Sequence, residues 1–528
     1  MNAATSTVRD RRATPRPALI AVLLGALLLR LWHLGARSLW TDEGSTWTAA
    51  TAPLGRLIQL CAEKDASPPL FYLFTALATR FGDREIQLRM VSVLASLGMV
   101  WLTYRLARLC LSPRAATLAA AVTALSPFQL MYAQEARTYM TVACLLVLAL
   151  YLFMRTVVEG RSRAFLPYVL VSALALYTQS IALLGVGVQA AFVVLEPRAR
   201  RGLKRFVLGQ LAAFTLYLPW LFITLRQSER LSESHWYATT PDAHGVFQVL
   251  RAVFVSPVPV LTAGTGPSAL GRLLPHSIGF GLLFLLPALP LAAAAFAMMR
   301  RRAGGDAGRL AAFGLVLPLA AVFAVSFKVP LWIPRYFVFL TPMLAVLLAL
   351  GWRELRPRAL ATVSAALLLG VSAYACQLYD RHYTKERWRE AVAAIARGVT
   401  PSRTAALVTF DADPFRYYNR RLGNPIAVFE VSHPDVPFAS NYTPAQLDEM
   451  ERQARELARD YVEVWVVIRS PNSPVRREVA RRAESVAAEG RKLFLRQILD
   501  SSGGPLRLAL YYRDMGEFHG GRVSATAH

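Results

Sequence analysis

The sequence predicts a polytopic α-helical membrane protein with about 11 transmembrane helices, followed by a soluble α/β domain at the C-terminus. Three observations carry that prediction. Of 528 residues, 55% are hydrophobic and only 18% charged, and the mean hydropathy is positive, which is too apolar for a soluble enzyme of this size. Apolar runs of spanning length recur from residue 17 to residue 376, and none follows in 377–528. Arg and Lys gather in short clusters between alternate runs, the pattern of cytoplasmic loops.

The elements follow in order. Arg9, Arg11, Arg12 and Arg16 form a basic flank before a first run, Pro17 to Leu34, which continues into Trp32, His33 and Trp40 as a retained helix with interfacial anchors. Residues 35–85 form an outer segment: Gly44 to Leu60 has helical spacing, and Leu70 to Phe81 is too short to cross, so both are expected to lie along the interface. Further spans are expected at 86–104, 115–132, 138–154, 164–178, 180–195, 206–225, 277–298, 310–327, 335–351 and 359–376. A long outer loop, 226–276, with Pro257, Pro259, Gly264 and Gly266, is expected to form a mobile lid. Domains are thus drawn at 1–376 and 377–528. In the second, strands are expected at 404–410, 462–468 and 506–512, and helices at 385–397 and 444–459.

Parity supports the count. Basic clusters at Arg105/Arg108/Arg114, Arg155/Arg161/Arg163, Arg198 to Lys204, Arg300 to Arg302 and Arg353/Arg356/Arg358 fall on one side, and an error of one span would invert all later loops. The formal charge of +25 is therefore accounted for by topology, not by a nucleic-acid partner. Cys61, Cys110, Cys144 and Cys376 lack both a metal-ligand rhythm and a disulfide framework. The excess of Arg over Lys points to a GC-rich bacterial genome.

The same parity puts Asp42, Glu43, Glu135 and Arg137 on the outer face. Asp42 and Glu43 stand in Ser38-Leu-Trp-Thr-Asp-Glu-Gly44 past the first span, and Glu135 and Arg137 past the third. Ionisable groups at such depths are costly unless used or paired. Two acids and a guanidinium suit transfer of a group from a phosphate-bearing lipid, with a carboxylate taking the acceptor proton and a cation meeting the departing phosphate. The bland alternative is a Glu135–Arg137 interfacial pair worth about 0–1 kcal/mol.

Several motifs together resemble the bacterial GT-C glycosyltransferases, family 39-like, the group of dolichyl-phosphate-mannose-protein mannosyltransferase-like and aminoarabinose-transferase-like enzymes. They are Trp40-x-Asp-Glu43, Ser67-Pro-Pro-Leu-Phe-Tyr72, Arg89 with Ser92, Tyr132-x-Gln-Glu-Ala-Arg-x-Tyr139 after Pro127, Tyr177-Thr-Gln-Ser180, Pro330-x-x-x-Pro-Arg-Tyr336 and Lys385-x-x-Trp-Arg389. The resemblance implies a GT-C fold and an inverting transferase that moves a sugar from a polyprenyl phosphate to a lipid, glycan or protein hydroxyl, on the outer side of the bacterial cell membrane. It implies Asp42 as general base and Glu135 as a supporting acid. Arg137, Arg335, Tyr336, Tyr139, Glu43 and Lys64 become candidate substrate ligands, against the alternative that Arg335 snorkels at a span end. A divalent metal (Mg, Mn, Ca or Zn) would have Asp42, Glu135, Glu63 and Asp65 as candidate ligands. Relatives often carry His where this chain has Ser67 and Gln179, which weakens the case for a transition metal. For Glu63, Lys64 and Asp65 the alternative is a solvated cluster. For Trp40 and Trp47 the choice is between sugar stacking and membrane anchoring, and for His235, Trp236 and His244 between substrate contact and exposed loop. Asp411-Ala-Asp413-Pro with Tyr417-Tyr418 reads as a binding element or as a helix N-cap before core aromatics. The alternative function is a transporter or flippase of lipid-linked sugars, which would place its acids near the midplane and show repeated halves.

Overall fold

The computed structural model describes residues 17–65, 67–233, 241–256, 276–300, 303–329, 331–399, 403–432, 442–469, 474–502 and 504–513. The N-terminal basic flank, Arg301, Arg302, Pro330, His235, Trp236, Pro257, Pro259, Gly264 and Gly266 lie outside the described residues.

The described residues of the membrane portion are mainly helical. In chain order it comprises α1 (Pro17–Leu31), α2 (Thr41–Thr51), α3 (Leu54–Glu63), α4 (Leu70–Thr79), α5 (Glu85–Ala107), α6 (Pro113–Ala124), α7 (Pro127–Ala133), α8 (Thr138–Phe153), α9 (Phe165–Leu176), α10 (Leu183–Leu195), α11 (Leu203–Glu233), α12 (Ala243–Phe254), α13 (His276–Met299), α14 (Gly305–Val325), α15 (Leu340–Glu354) and α16 (Arg358–His382). Each expected span falls on helix. Among the described residues, five helical stretches are long and apolar enough to cross a membrane unaided: Glu85–Ala107, Thr138–Val158, Leu203–Gln227, Gly305–Val325 and Arg358–His382. The expected span at 115–132 is instead a bent pair, α6 and α7, meeting at 56°. The bend has a local cause: Pro127 cannot continue the hydrogen-bond ladder, and Ser126 caps the new helix through its hydroxyl to Gln129 N. α1, α4 and the stretches 162–176, 180–195 and 283–299 are shorter apolar helices. α15 is also short, but nearly all of it is buried, so it forms the centre of the bundle and not its lipid-facing wall.

The outer segment after α1 forms the short helices α2, α3 and α4, as its spacing predicts. The expected loop 226–276 is partly helix: α11 continues into it, and α12 is held by Trp332, whose indole N–H donates to Gly245 O at 3.0 Å.

Beyond α16 the chain forms α17 (Trp388–Ala396), β1 (Thr404–Thr409), α18 (Asp413–Arg421), β2 (Ala427–Val431), α19 (Pro444–Ala458), β3 (Glu463–Arg469), α20 (Pro474–Ala488), β4 (Lys492–Leu499) and β5 (Leu506–Tyr512). The sheet order is β2-β1-β3-β5-β4, with β1 parallel to both neighbours and β5 antiparallel to β3 and β4. Both faces of the central strands are covered, which explains their unbroken hydrophobic runs. Ala406, Val408, Trp465 and Val467 join the core with α17 and α18, while Leu407, Val464 and Val466 join the core with α19 and α20. Leu39 and Trp47 of the membrane portion belong to the first of these cores. Trp47 therefore neither anchors in lipid nor stacks on a sugar: it packs edge-on against Tyr417 and donates to Asp83.

Candidate active site

Two loops and one late turn converge on Asp42. Asp42 is the second residue of α2, whose start is fixed by Glu386: its Oε2 accepts from Thr41 N at 3.1 Å and from Thr41 Oγ1 at 2.7 Å. The bend between α6 and α7 ends that stretch early and delivers Gln134 to Arg137 to the same place. Arg137 Nε lies 3.8 Å from Asp42 Oδ2, and Arg335 Nη1, on the turn Pro334–Phe337 before α15, lies 3.9 Å from the same oxygen. The Nε atoms of both arginines are buried without a hydrogen-bond partner. Tyr139 and Tyr336 flank the Arg335 guanidinium, with ring centroids at 5.6 and 5.7 Å. Arg137 is held from behind by Asp65 Oδ2 at 3.3 Å and by the Tyr72 hydroxyl at 3.1 Å. Burial works against the Asp65 charge, but Arg137 and the hydrogen bonds from Tyr72 and Ser67 outweigh it and hold the carboxyl below its ordinary value.

Glu135 sits beside this cluster, its Oε1 3.8 Å from Lys385 Nζ and its Oε2 buried without a hydrogen-bond partner. Burial pushes its carboxyl up to about 7, against the pull of Lys385. Glu135 and Arg137 thus do not pair with each other, because each faces a different partner. Arg335 is not a snorkelling cation either: it points at a carboxylate.

Glu43 was expected among the substrate ligands, and the structure assigns it elsewhere. Its carboxylate is fully buried and accepts from Arg89 Nε and Nη2, both at 2.8 Å, from Lys385 Nζ at 3.0 Å and from Ala136 N at 2.8 Å. Burial opposes this charge, and Arg89 and Lys385 overcome the penalty, lowering the carboxyl to about 2. With its acceptor sites taken, Glu43 ties α2, α5, the 134–137 turn and the segment after α16 together. Glu63 and Lys64 are exposed at the end of α3, and Glu63 accepts from Gln59. His244 is exposed and bonds Gln248.

Among the described residues no group of three or more His, Cys, Asp or Glu is placed to hold a divalent metal. Asp42 already faces two guanidinium groups, and the Asp65 oxygens are taken by Arg137, Tyr72 and Ser67 N.

Lys385, Arg89 and Glu386 were not singled out as site residues, although two of them stand in motifs quoted above. Their function as a frame follows from pairing across more than 300 residues in the case of Lys385 with Glu43, which no local pattern reveals.

Comparison with known proteins agrees with this architecture. A family model described as dolichyl-phosphate-mannose-protein mannosyltransferase matches residues 66–223. No curated protein matches the sequence. ArnT from Cupriavidus metallidurans in the apo state is similar in structure, with a TM-score of 0.56 at 16% identity, over 96% of this chain and 98% of that one. ArnT bound to undecaprenyl phosphate gives 0.56 and 16%, over 93% and 97%. An oligosaccharyltransferase from Archaeoglobus fulgidus, in complex with Zn and sulfate, gives 0.53 and 14%, over 85% and 68%. The chain thus has the multi-pass fold of the GT-C glycosyltransferases, and its segment 66–223 matches their protein-mannosyltransferase family, the group its motifs resemble.

Proposed function

We propose that the protein transfers a sugar from a polyprenyl monophosphate to an acceptor hydroxyl at the outer face of a bacterial cell membrane, with inversion at the anomeric carbon. The observation that carries this reading is the Asp42 carboxylate set between two guanidinium groups at 3.8 and 3.9 Å, each with a buried, unused Nε donor. In the reaction the acceptor oxygen bonds to the anomeric carbon as Asp42 takes its proton. The bond from that carbon to the donor phosphate oxygen breaks, and the electron pair leaves with the polyprenyl phosphate. Arg137 and Arg335 meet the charge that develops there, where fixed donors in a dry site act most strongly. A single displacement inverts the anomeric centre. Arg137 and Arg335 supply the cations of this step.

A donor of this class accords with the undecaprenyl phosphate bound by ArnT. Action at the outer face accords with the parity of the basic loops, since the turns expected on that side are the ones that meet at Asp42. Removing a general base costs about 10²–10⁴ in rate. Asp42→Asn is therefore expected to abolish sugar transfer in reconstituted vesicles while the variant still inserts and melts as the wild type does. Near wild-type turnover would remove Asp42 from the mechanism.

A further inference from the structure

An apolar groove runs between α4 and α5, apart from the candidate active site. It encloses about 620 Å³, within the range of small-molecule pockets. Phe74, Leu77 and, just past α4, Phe81 form one wall at helical spacing; Ile86, Met90 and Leu94 form the other, and Thr141 of α8 completes the lining. Asp42, Arg137 and Arg335 do not line it. α4 turns Phe71, Tyr72 and Thr75 into the bundle and leaves Phe74 and Leu77 outside, and Phe81 is 83% exposed. The groove therefore opens away from the bundle, where the acyl chains of a bilayer lie.

Its mouth is cationic. Between the two walls the chain turns through Gly82, at φ 126°, and Asp83. Asp83 is taken by Arg420 and Arg421 of α18, each at 3.5 Å, and Glu85 by Arg389 at 2.6 Å. Arg80 and Arg84 flank the turn, are exposed, and have no acidic partner among the described residues. Five arginines thus stand against two acids, and both acids are already paired. Arg84 immediately precedes the stretch Glu85–Ala107, which is long and apolar enough to cross a membrane, so the turn stands at headgroup level.

We propose that the groove binds one anionic diacyl phospholipid, a phosphatidylglycerol, with an acyl chain between α4 and α5 and its phosphate between Arg80 and Arg84. Bulk lipid wets any apolar surface, so the walls alone select no headgroup. Selection comes from the turn: a guanidinium meets phosphate oxygens with paired donors, and no carboxylate competes for Arg80 or Arg84. A zwitterionic headgroup would bring an ammonium into the same cationic field, which favours the anionic lipid. The inference goes beyond the proposed reaction and stands whether or not Asp42 is the base.

The test uses the full chain in detergent, equilibrated with equal amounts of phosphatidylglycerol and phosphatidylethanolamine of the same acyl chains and read by native mass spectrometry. The wild type is expected to retain one phosphatidylglycerol and to prefer it at least fivefold. Arg80→Gln and Arg84→Gln together are expected to abolish that preference, with the melting temperature in lipid-free detergent unchanged. Should the pair fail to fold, Leu77→Trp, which fills the groove, is expected to lower phosphatidylglycerol retention at least fivefold. Equal retention of the two lipids by the wild type, or wild-type retention in the variants, overturns the proposal and leaves Arg80 and Arg84 as ordinary interfacial anchors. Displacement of phosphatidylglycerol by added undecaprenyl phosphate also overturns it, because the groove would then hold the tail of a polyprenyl phosphate.

Discussion

The Glu135 carboxyl, like that of Asp411, is pushed into the neutral range. That of Glu135, pushed up to about 7 by burial, ionises near 4.5 when the chain is unfolded. The folded state therefore binds the proton more tightly, and ionised Glu135 destabilises the fold progressively as pH rises from about 4.5 through about 7. Glu135→Gln removes that penalty. The variant is expected to melt higher than the wild type at pH 8 and at the same temperature at pH 4, read by thermal unfolding in detergent. A lower melting temperature at pH 8 would mean that the ionised carboxylate holds the site together through Lys385.

Among the elements, α2 decides where the proposed base, Asp42, stands. It has no apolar stripe strong enough to dock by itself; its place comes from Glu386 at its start, Glu43 in the buried ion cluster and Gly44 against Pro414. A Gly to Ala change in a helix interior ordinarily stabilises by about 0.5–1 kcal/mol. Here the added methyl meets the ring and backbone nitrogen of Pro414 at 2.6 to 2.7 Å, so α2 and α18 must separate. Gly44→Ala is expected to lower stability by about 1–3 kcal/mol, the usual cost of overpacking. A rise in melting temperature would show that the two helices yield freely.

At the scale of the molecule, the C-terminal α/β portion is tied to the helical portion beside the candidate site. Lys385 reaches Glu43, Glu135 and Gln134 O, and Arg389 reaches Gly35 O, Ala36 O and Glu85. Lys385→Met leaves the buried Glu43 with Arg89 as its one remaining cation among the described residues, a loss of the kind that costs about 3–5 kcal/mol. Limited proteolysis within 383–389 is then expected to quicken at least tenfold; unchanged cleavage would show that the domain docks by other contacts. Because the Glu43 carboxyl is lowered from 4.5 to about 2, its contribution is fully present above 4.5 and is lost as pH falls toward about 2. Docking is therefore expected to hold at neutral pH and to loosen in acid, with cleavage quickening over that window.

Much of this was legible in one dimension. Apolar runs separated by charge mark a multi-pass chain, since twenty or so apolar residues have few other homes. The strands expected at 404–410, 462–468 and 506–512 were visible as buried hydrophobic runs and form within a residue at 404–409, 463–469 and 506–512, whereas β4, exposed along most of its length, carries no such pattern. The candidacy of Asp42, Glu135, Arg137 and Arg335 rests on the cost of ionised groups near a membrane and on motif resemblance, and the structure brings their side chains close together. What only the tertiary structure decided is who faces whom. Adjacent acids such as Asp42 and Glu43 point about 100° apart on a helix, so one enters the site and the other is locked behind it. Partners from distant segments, Arg89 and Lys385, then settle which charge is neutralised and which is left for chemistry, because Coulomb interactions depend on distance in space and not along the chain.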